Sequence, residues 1–116
     1  MPLVDLSYLA EISGNDSFYI AEVVGIFIDT MNKGLPELEE LVFSPTPDYD
    51  KIHQQAHFLK SSAGIVKVGG NYENFVKMNT TSLTHSGIEE LRSCMVSIKN
   101  TYAEALTELE SLRNPG

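Results

Sequence analysis

Apolar residues recur at three- and four-residue intervals along most of this chain, which is the spacing of one face of an α-helix. The longest stripe covers residues 20–41 and contains Pro36. Because proline cannot donate a backbone hydrogen bond, we expect a kink or a brief break in this second helix near Pro36. A shorter stripe over residues 3–12 predicts a first helix that ends near Gly14.

Three more stripes predict three more helices. The third covers residues 49–66, and the double glycine at Gly69 and Gly70 marks its end. A weaker fourth stripe covers residues 72–78. The last covers residues 88–112 and repeats with a heptad spacing.

Short polar side chains mark the starts of these helices, because their oxygens accept hydrogen bonds from the free amides of the first turn. Asn15 or Asp16 can cap the second helix, and Asp48 follows the turn-forming residues SPTP and can cap the third. Ser86 and Glu89 have the spacing of a capping box for the last helix.

The sequence therefore predicts an all-α fold. No segment alternates apolar and polar residues for long enough to indicate a β-strand. Amphipathic helices joined by short loops pack most simply as an antiparallel four-helix bundle, here with an extra short N-terminal helix. We expect residues 1–116 to form a single domain of this kind.

Composition narrows the classes of function. With 42% hydrophobic and 21% charged residues the chain is typical of a soluble protein, and no apolar run or N-terminal leader pattern indicates a membrane segment or export, so we expect a cytoplasmic protein. The net charge of −8 disfavours binding to nucleic acid or an anionic membrane. The single cysteine, Cys94, cannot form an intramolecular disulfide.

The acidic residues are distributed unevenly. Residues 51–72 contain no Asp or Glu, although the whole chain has sixteen. The same segment contains Lys51, Lys60 and Lys67. We therefore expect this segment to tolerate an anion.

A helical projection of the third helix separates its apolar stripe from a polar surface. The projection places His57 on the solvent-facing side, with His53, Lys60, Ser61 and Gly64 close to it. Gln54 and Phe58 also point away from the apolar stripe.

This surface suits nucleophilic chemistry on phosphorus. A neutral imidazole is available near pH 7, so an exposed His57 can attack a phosphoryl donor, and Lys60 supplies a positive charge for the phosphoryl oxygens. The small side chains of Ser61 and Gly64 leave room for a second protein, and Phe58 could anchor it. A zinc site on His53 and His57 is an alternative, but no HExxH motif or local acidic ligand supports it, so we expect neither metal nor cofactor.

At residues 56–64 the sequence AHFLKSSAG resembles the signature of the histidine-containing phosphotransfer (HPt) family, Ala-His-x-Leu-Lys-Gly-Ser-Ala/Ser-Ala/Gly. The resemblance extends over essentially the whole chain. It implies a four-helix bundle in which His57 is phosphorylated on its outward ring nitrogen and exchanges the group with an aspartate of a receiver domain, which supplies magnesium. It also implies a phosphocarrier without an ATP site of its own, and no nucleotide-binding motif is found in the chain.

The resemblance further implies response-regulator receiver domains and a hybrid sensor histidine kinase as partners. We expect a monomer, because the heptad seam of the last helix fits the bundle core better than a dimer interface. The docking surface would comprise His53, Gln54, Phe58, Ser61 and Gly64. Ser61 and Lys67 stand where the family usually has glycine. Ser61 is small enough to allow close docking, whereas Lys67, with the glycines displaced to Gly69 and Gly70, indicates a shifted or longer end of the third helix. Asn79 or Lys77 is a candidate to hold the imidazole from the fourth helix. The alternative function is a helical interaction module that binds a receiver or kinase domain without accepting phosphate.

Overall fold

Four long helices lie side by side in the computed structural model, which describes residues 3–113. The elements of this part of the chain are β1 (Val4–Asp5), α1 (Ser7–Ser13), α2 (Ser17–Val42), α3 (Tyr49–Ile65), β2 (Lys67–Val68), α4 (Asn71–Ser82) and α5 (Ile88–Arg113). Each of α2 to α5 packs against its neighbours in the chain, and α5 closes the ring against α2. The predicted all-α, four-helix bundle with an extra short N-terminal helix is confirmed.

The apolar stripes of the helices meet in one core. Its largest fully buried side chains come from α1 and from all four long helices: Leu9, Ile28, Met31, Leu38, Ile52, Leu59, Phe75, Met78, Leu91, Met95, Ile98 and Leu109. Burying each such side chain stabilises the fold by about 1.5–3 kcal/mol relative to exposure. No helix within residues 3–113 is long and apolar enough to cross a bilayer.

Two of the three predicted helix caps are confirmed. Asp16 accepts hydrogen bonds from the amides of Phe18 and Tyr19 at the start of α2. Asp48 does the same for the second and third residues of α3, at 3.1 and 3.2 Å. These caps fix where the two helices begin.

The predicted capping box at Ser86 is wrong by one residue. The carbonyl of Gly87 accepts the hydrogen bond from the amide of Leu91, so Gly87 stands immediately before the helix. Gly87 has a φ of +76°, which a residue with a side chain rarely adopts. Ser86 instead shares a hydrogen bond with the hydroxyl of Thr84 at 2.9 Å.

The expected interruption at Pro36 does not break α2, which is helical from Ser17 to Val42. Leu35 and Leu38, on either side of the proline, are buried in the core. Packing of these two side chains holds both halves of the helix against the bundle, which offsets the missing hydrogen bond.

The end of α3 differs from the prediction. The helix ends at Ile65, before the double glycine, and Lys67–Val68 pairs antiparallel with Val4–Asp5. The amide of Gly69 then donates to the carbonyl of Leu3 at 2.9 Å. The first helix accordingly begins at Ser7, later than predicted. This short ladder joins the start of the chain to the α3–α4 connection.

Candidate functional site

The imidazole of His57 lies on the open face of α3. Ala56, immediately before it, and Leu59, two residues after it, are fully buried, as is Ile52 one turn before Ala56. Because these residues fix which side of the helix faces the bundle, the side chain of His57 is exposed. The structure therefore presents His57 to solvent on a rigid element.

His53 is placed differently from the exposed position that its helical projection indicates. Its ring is half-buried, and Nδ1 lies 3.1 Å from the carbonyl oxygen of Asn79 and 3.0 Å from Oγ of Ser82. A carbonyl oxygen only accepts, so Nδ1 carries the proton and donates it to α4. In the neutral ring Nε2 is then an unprotonated acceptor.

The rings of His53 and His57 are neighbours on α3. Their centroids are 6.3 Å apart and their planes differ by 17°. The fourth helix thus holds an imidazole through Asn79, but the imidazole is that of His53 and the contact is the backbone carbonyl. Lys77, the other candidate on α4, is exposed.

Lys60, Ser61 and Gln54 surround His57 on the same helix. Lys60 is half-buried, and Ser61 and Gln54 are exposed. The hydroxyl of Ser61 lies 3.5 Å from the carbonyl of His57, so it stays close to its own helix. The α3 surface around His57 is therefore polar. After Asp50, α3 carries no acidic side chain.

Gly64 lies against α4. A Cβ at this position would come within 3.2 Å of Cε1 of Tyr72. The ammonium of Lys67 lies 5.6 Å from the centroid of the same tyrosine ring. The space beside Gly64 is therefore filled by Tyr72 of the same chain.

Phe58 lies on the opposite side of His57 from α4, where α3 meets α2. Its side chain is 59% exposed and borders an open groove of about 340 Å³, whose α2 wall includes Lys33. The helices approach closely here, since a Cβ at Gly34 would lie only 2.5 Å from Cδ2 of Leu59. Ile26 and Ile65 expose further apolar surface along this α2–α3 seam.

Sequence reasoning included Phe58 in this surface but missed the contribution of Ile26. The signal was present, because Ile26 lies between the core residues Val24 and Phe27 and so falls off the apolar stripe of α2. Ile26 lines a groove together with Ile65, and contiguous exposed apolar side chains are typical of a protein-binding surface.

Comparison with solved structures identifies the fold. The chain superposes on the X-ray structure of a rice protein named as a putative histidine-containing phosphotransfer protein, with a TM-score of 0.73. The two chains share this fold. The match covers 96% of this chain and 79% of the rice chain at 20% sequence identity. No protein-family model matches the chain, and no curated protein matches it either.

The side chains in the described part of the chain do not assemble a metal centre. Within residues 3–113, no group of three or more His, Cys, Asp or Glu side chains is placed to hold a metal ion. Nδ1 of His53 donates to α4, which leaves only its Nε2 as a free ring nitrogen.

Proposed function

We propose that this chain, as one domain, is a histidine phosphotransfer protein that carries a phosphoryl group on His57 between aspartates of receiver domains in a two-component phosphorelay. The observation that carries the proposal is an exposed His57, within an HPt-like signature, on a segment free of acidic residues in a chain of net charge −8. The shared fold with the rice protein supports it.

The transfer step requires little from the carrier itself. A neutral ring nitrogen of His57 attacks the phosphorus of an aspartyl phosphate, the new P–N bond forms, and the P–O bond breaks to release the carboxylate. Lys60, one turn along α3, contributes positive charge near the transferring oxygens. The receiver supplies the magnesium ion and the aspartate.

The partner docks on the exposed surface around His57. Gln54 and Ser61 are its exposed polar contacts, and Phe58 is the apolar anchor. His53 and Gly64, which belong to the docking surface indicated by the sequence, lie on the α4 side of it. Ile26 and Ile65 extend the apolar part along the α2–α3 seam. Receiver domains and a hybrid sensor kinase are the partner classes that this function requires.

The chain acts as a carrier and takes its phosphoryl group from a partner. Its sequence contains neither a GxxxxGK motif nor a glycine-rich nucleotide lid. His57 also lies on an open helix face, where ATP would find no enclosing walls. Phosphorylation from ATP therefore depends on a second protein that holds the nucleotide.

Transfer from a phosphorylated receiver domain tests the proposal. The wild-type chain is expected to acquire label that is lost in acid and survives base, as a phosphoramidate does, and His57→Gln is expected to acquire none. His85→Gln is the matched control, because His85 is also exposed but pairs with Asp50 at 3.0 Å. Stable receiver binding without label in the wild-type chain would favour the non-phosphorylated interaction module. Label that persists in His57→Gln would refute the assignment of His57.

A further inference from the structure

The ring of His53 is fixed from outside its own helix. Nδ1–H donates to the carbonyl of Asn79 and to Oγ of Ser82, and the hydroxyl of Ser82 itself donates to that carbonyl at 3.1 Å. The donor role of Nδ1 is the same in the neutral and the protonated ring, because both forms can carry a proton there. Protonation of His53 at Nε2 therefore leaves its contacts with α4 intact.

This fixed ring stands beside the proposed phosphoacceptor. Its centroid is 6.3 Å from that of His57, with nearly parallel planes. A phosphoryl group on His57 would bring close to two negative charges to this position at neutral pH. The free Nε2 of His53 is the ring nitrogen that can take up a proton, which places a positive charge near these negative charges.

Charged groups near this part of α3 come from α2, from α4 and from α3 itself. On α2, Glu37 accepts from Gln55 (3.4 Å), and on α4, Lys77 lies near Cys94 of α5. The contacts that α4 offers to His53, from Asn79 and Ser82, are uncharged. On α3 itself, Asp50 and Lys51 lie within one turn before His53, and His57 and Lys60 follow it; Asp50 pairs with His85 at 3.0 Å.

We infer that His53 is a positioning residue for the phosphorylated state: once it is protonated at Nε2, its imidazolium ring places a positive charge beside the phosphoryl group on His57 and retains it. This inference rests on the proposed function of His57. It differs from the role of Lys60, because the charge on His53 depends on pH and on the presence of the phosphoryl group.

The inference predicts how the phosphohistidine is lost. In hydrolysis the P–N bond breaks, water adds to phosphorus, and the departing ring of His57 takes a proton. A cation on His53 disfavours that protonation and so slows hydrolysis at acid pH, where an imidazole is protonated. Two unit charges about 6 Å apart in water change such an equilibrium about threefold, and the effect increases where water is excluded.

The experiment needs no receiver. Phosphoramidate phosphorylates the full chain, its own P–N bond breaking as ammonia leaves, and ³¹P NMR follows loss of phosphohistidine between about pH 5.5 and about pH 8.5. We expect His53→Gln to lose the group about three times faster than wild type near pH 5.5 and equally fast near pH 8.5. Lys99→Gln, which removes a positive charge that pairs with Glu39 (2.8 Å) on the α2–α5 side of the bundle, is the control and is expected to follow the wild-type profile throughout. Superimposable profiles for His53→Gln and wild type would overturn the inference.

A second measurement uses the wild-type chain and does not depend on the folding of a variant. The ¹⁵N signals of the His53 ring are expected to move toward those of an imidazolium when His57 is phosphorylated near pH 7, and unchanged signals would overturn the inference. Failure of the proposed function is recognised separately. In that case no acid-labile phosphorus appears, or it appears equally in His57→Gln, and the inference about His53 falls with it.

Discussion

Replacement of Gly64 by alanine tests whether the lack of a side chain at this position matters for partner binding or for packing within the fold. Gly64 lies in the last turn of α3, where alanine stabilises a helix by about 0.5–1 kcal/mol relative to glycine. Its new Cβ would lie 3.2 Å from Cε1 of Tyr72, so the ring must move. Because Tyr72 is only half-buried, we place the cost of this displacement at the low end of overpacking, about 1 kcal/mol.

The two effects nearly cancel in the single variant. Gly64→Ala alone is expected to change the free energy of unfolding by less than about 0.5 kcal/mol. In a Tyr72→Ala background the obstacle is absent, and the same change is expected to stabilise by about 0.5–1 kcal/mol. The coupling energy of this double-mutant cycle is therefore about 1 kcal/mol, which urea unfolding of the four chains measures.

Ser61→Ala, one turn earlier on the exposed side, is the matched control and is expected to show no coupling with Tyr72. Phosphoryl transfer should be nearly unchanged in Gly64→Ala, since Tyr72 already occupies the space. A coupling energy near zero would refute the packing argument. A tenfold or greater loss of transfer with unchanged stability would show instead that the partner approaches Gly64 closely, since that loss corresponds to about 1.4 kcal/mol.

Three further predictions concern neighbouring residues and the core. Leu59→Ala should lower the free energy of unfolding, measured in urea, by about 2–5 kcal/mol, because Leu59 is buried. Phe58 is exposed, so Phe58→Ala should change this free energy by no more than about 0.5 kcal/mol and should weaken receiver binding in titration calorimetry. Equal stability losses in the two variants would contradict the assigned helix faces. Asp48→Ala should cost about 1 kcal/mol by the same urea assay, because two amides of α3 lose their acceptor. Burial raises the pKa of Tyr102 to about 12. The folded chain therefore holds this proton more tightly than the unfolded chain, and stability should fall between about pH 10 and 12 in wild type but less in Tyr102→Phe.

Much of the fold could be predicted because its determinants are local. The apolar spacing identified the long helices. Asp16 and Asp48 stand immediately before α2 and α3, which is the position of an N-cap residue. The exposure of His57 also follows from its own helix, since Ala56 and Leu59 define the buried face. No knowledge of the neighbouring helices is needed for these conclusions.

The features that could not be predicted depend on residues distant in sequence. The β1–β2 ladder pairs Val4 with Val68, and two-residue strands are too short to show an alternating pattern. The hydrogen bonds from His53 to Asn79 and Ser82 depend on the register of α3 against α4. Packing of the two helices sets this register, and the sequence of either helix alone does not. The occupant of the space beside Gly64 is a residue of α4 for the same reason.

The shape of the surface around His57 indicates which part of the proposed reaction the partner must supply. Grooves border α3 beside Lys51, Phe58 and Ile65, and none of these grooves includes His57 in its walls. A small substrate would gain little at His57 itself, because affinity for small molecules requires an enclosing pocket. A protein partner can instead bind the apolar side chains beside His57 and bring its own catalytic groups to the ring. The carrier then needs a rigid nucleophile, positive charge at Lys60 and a neighbour that retains the phosphoryl group between partners, which is the role that we infer for His53.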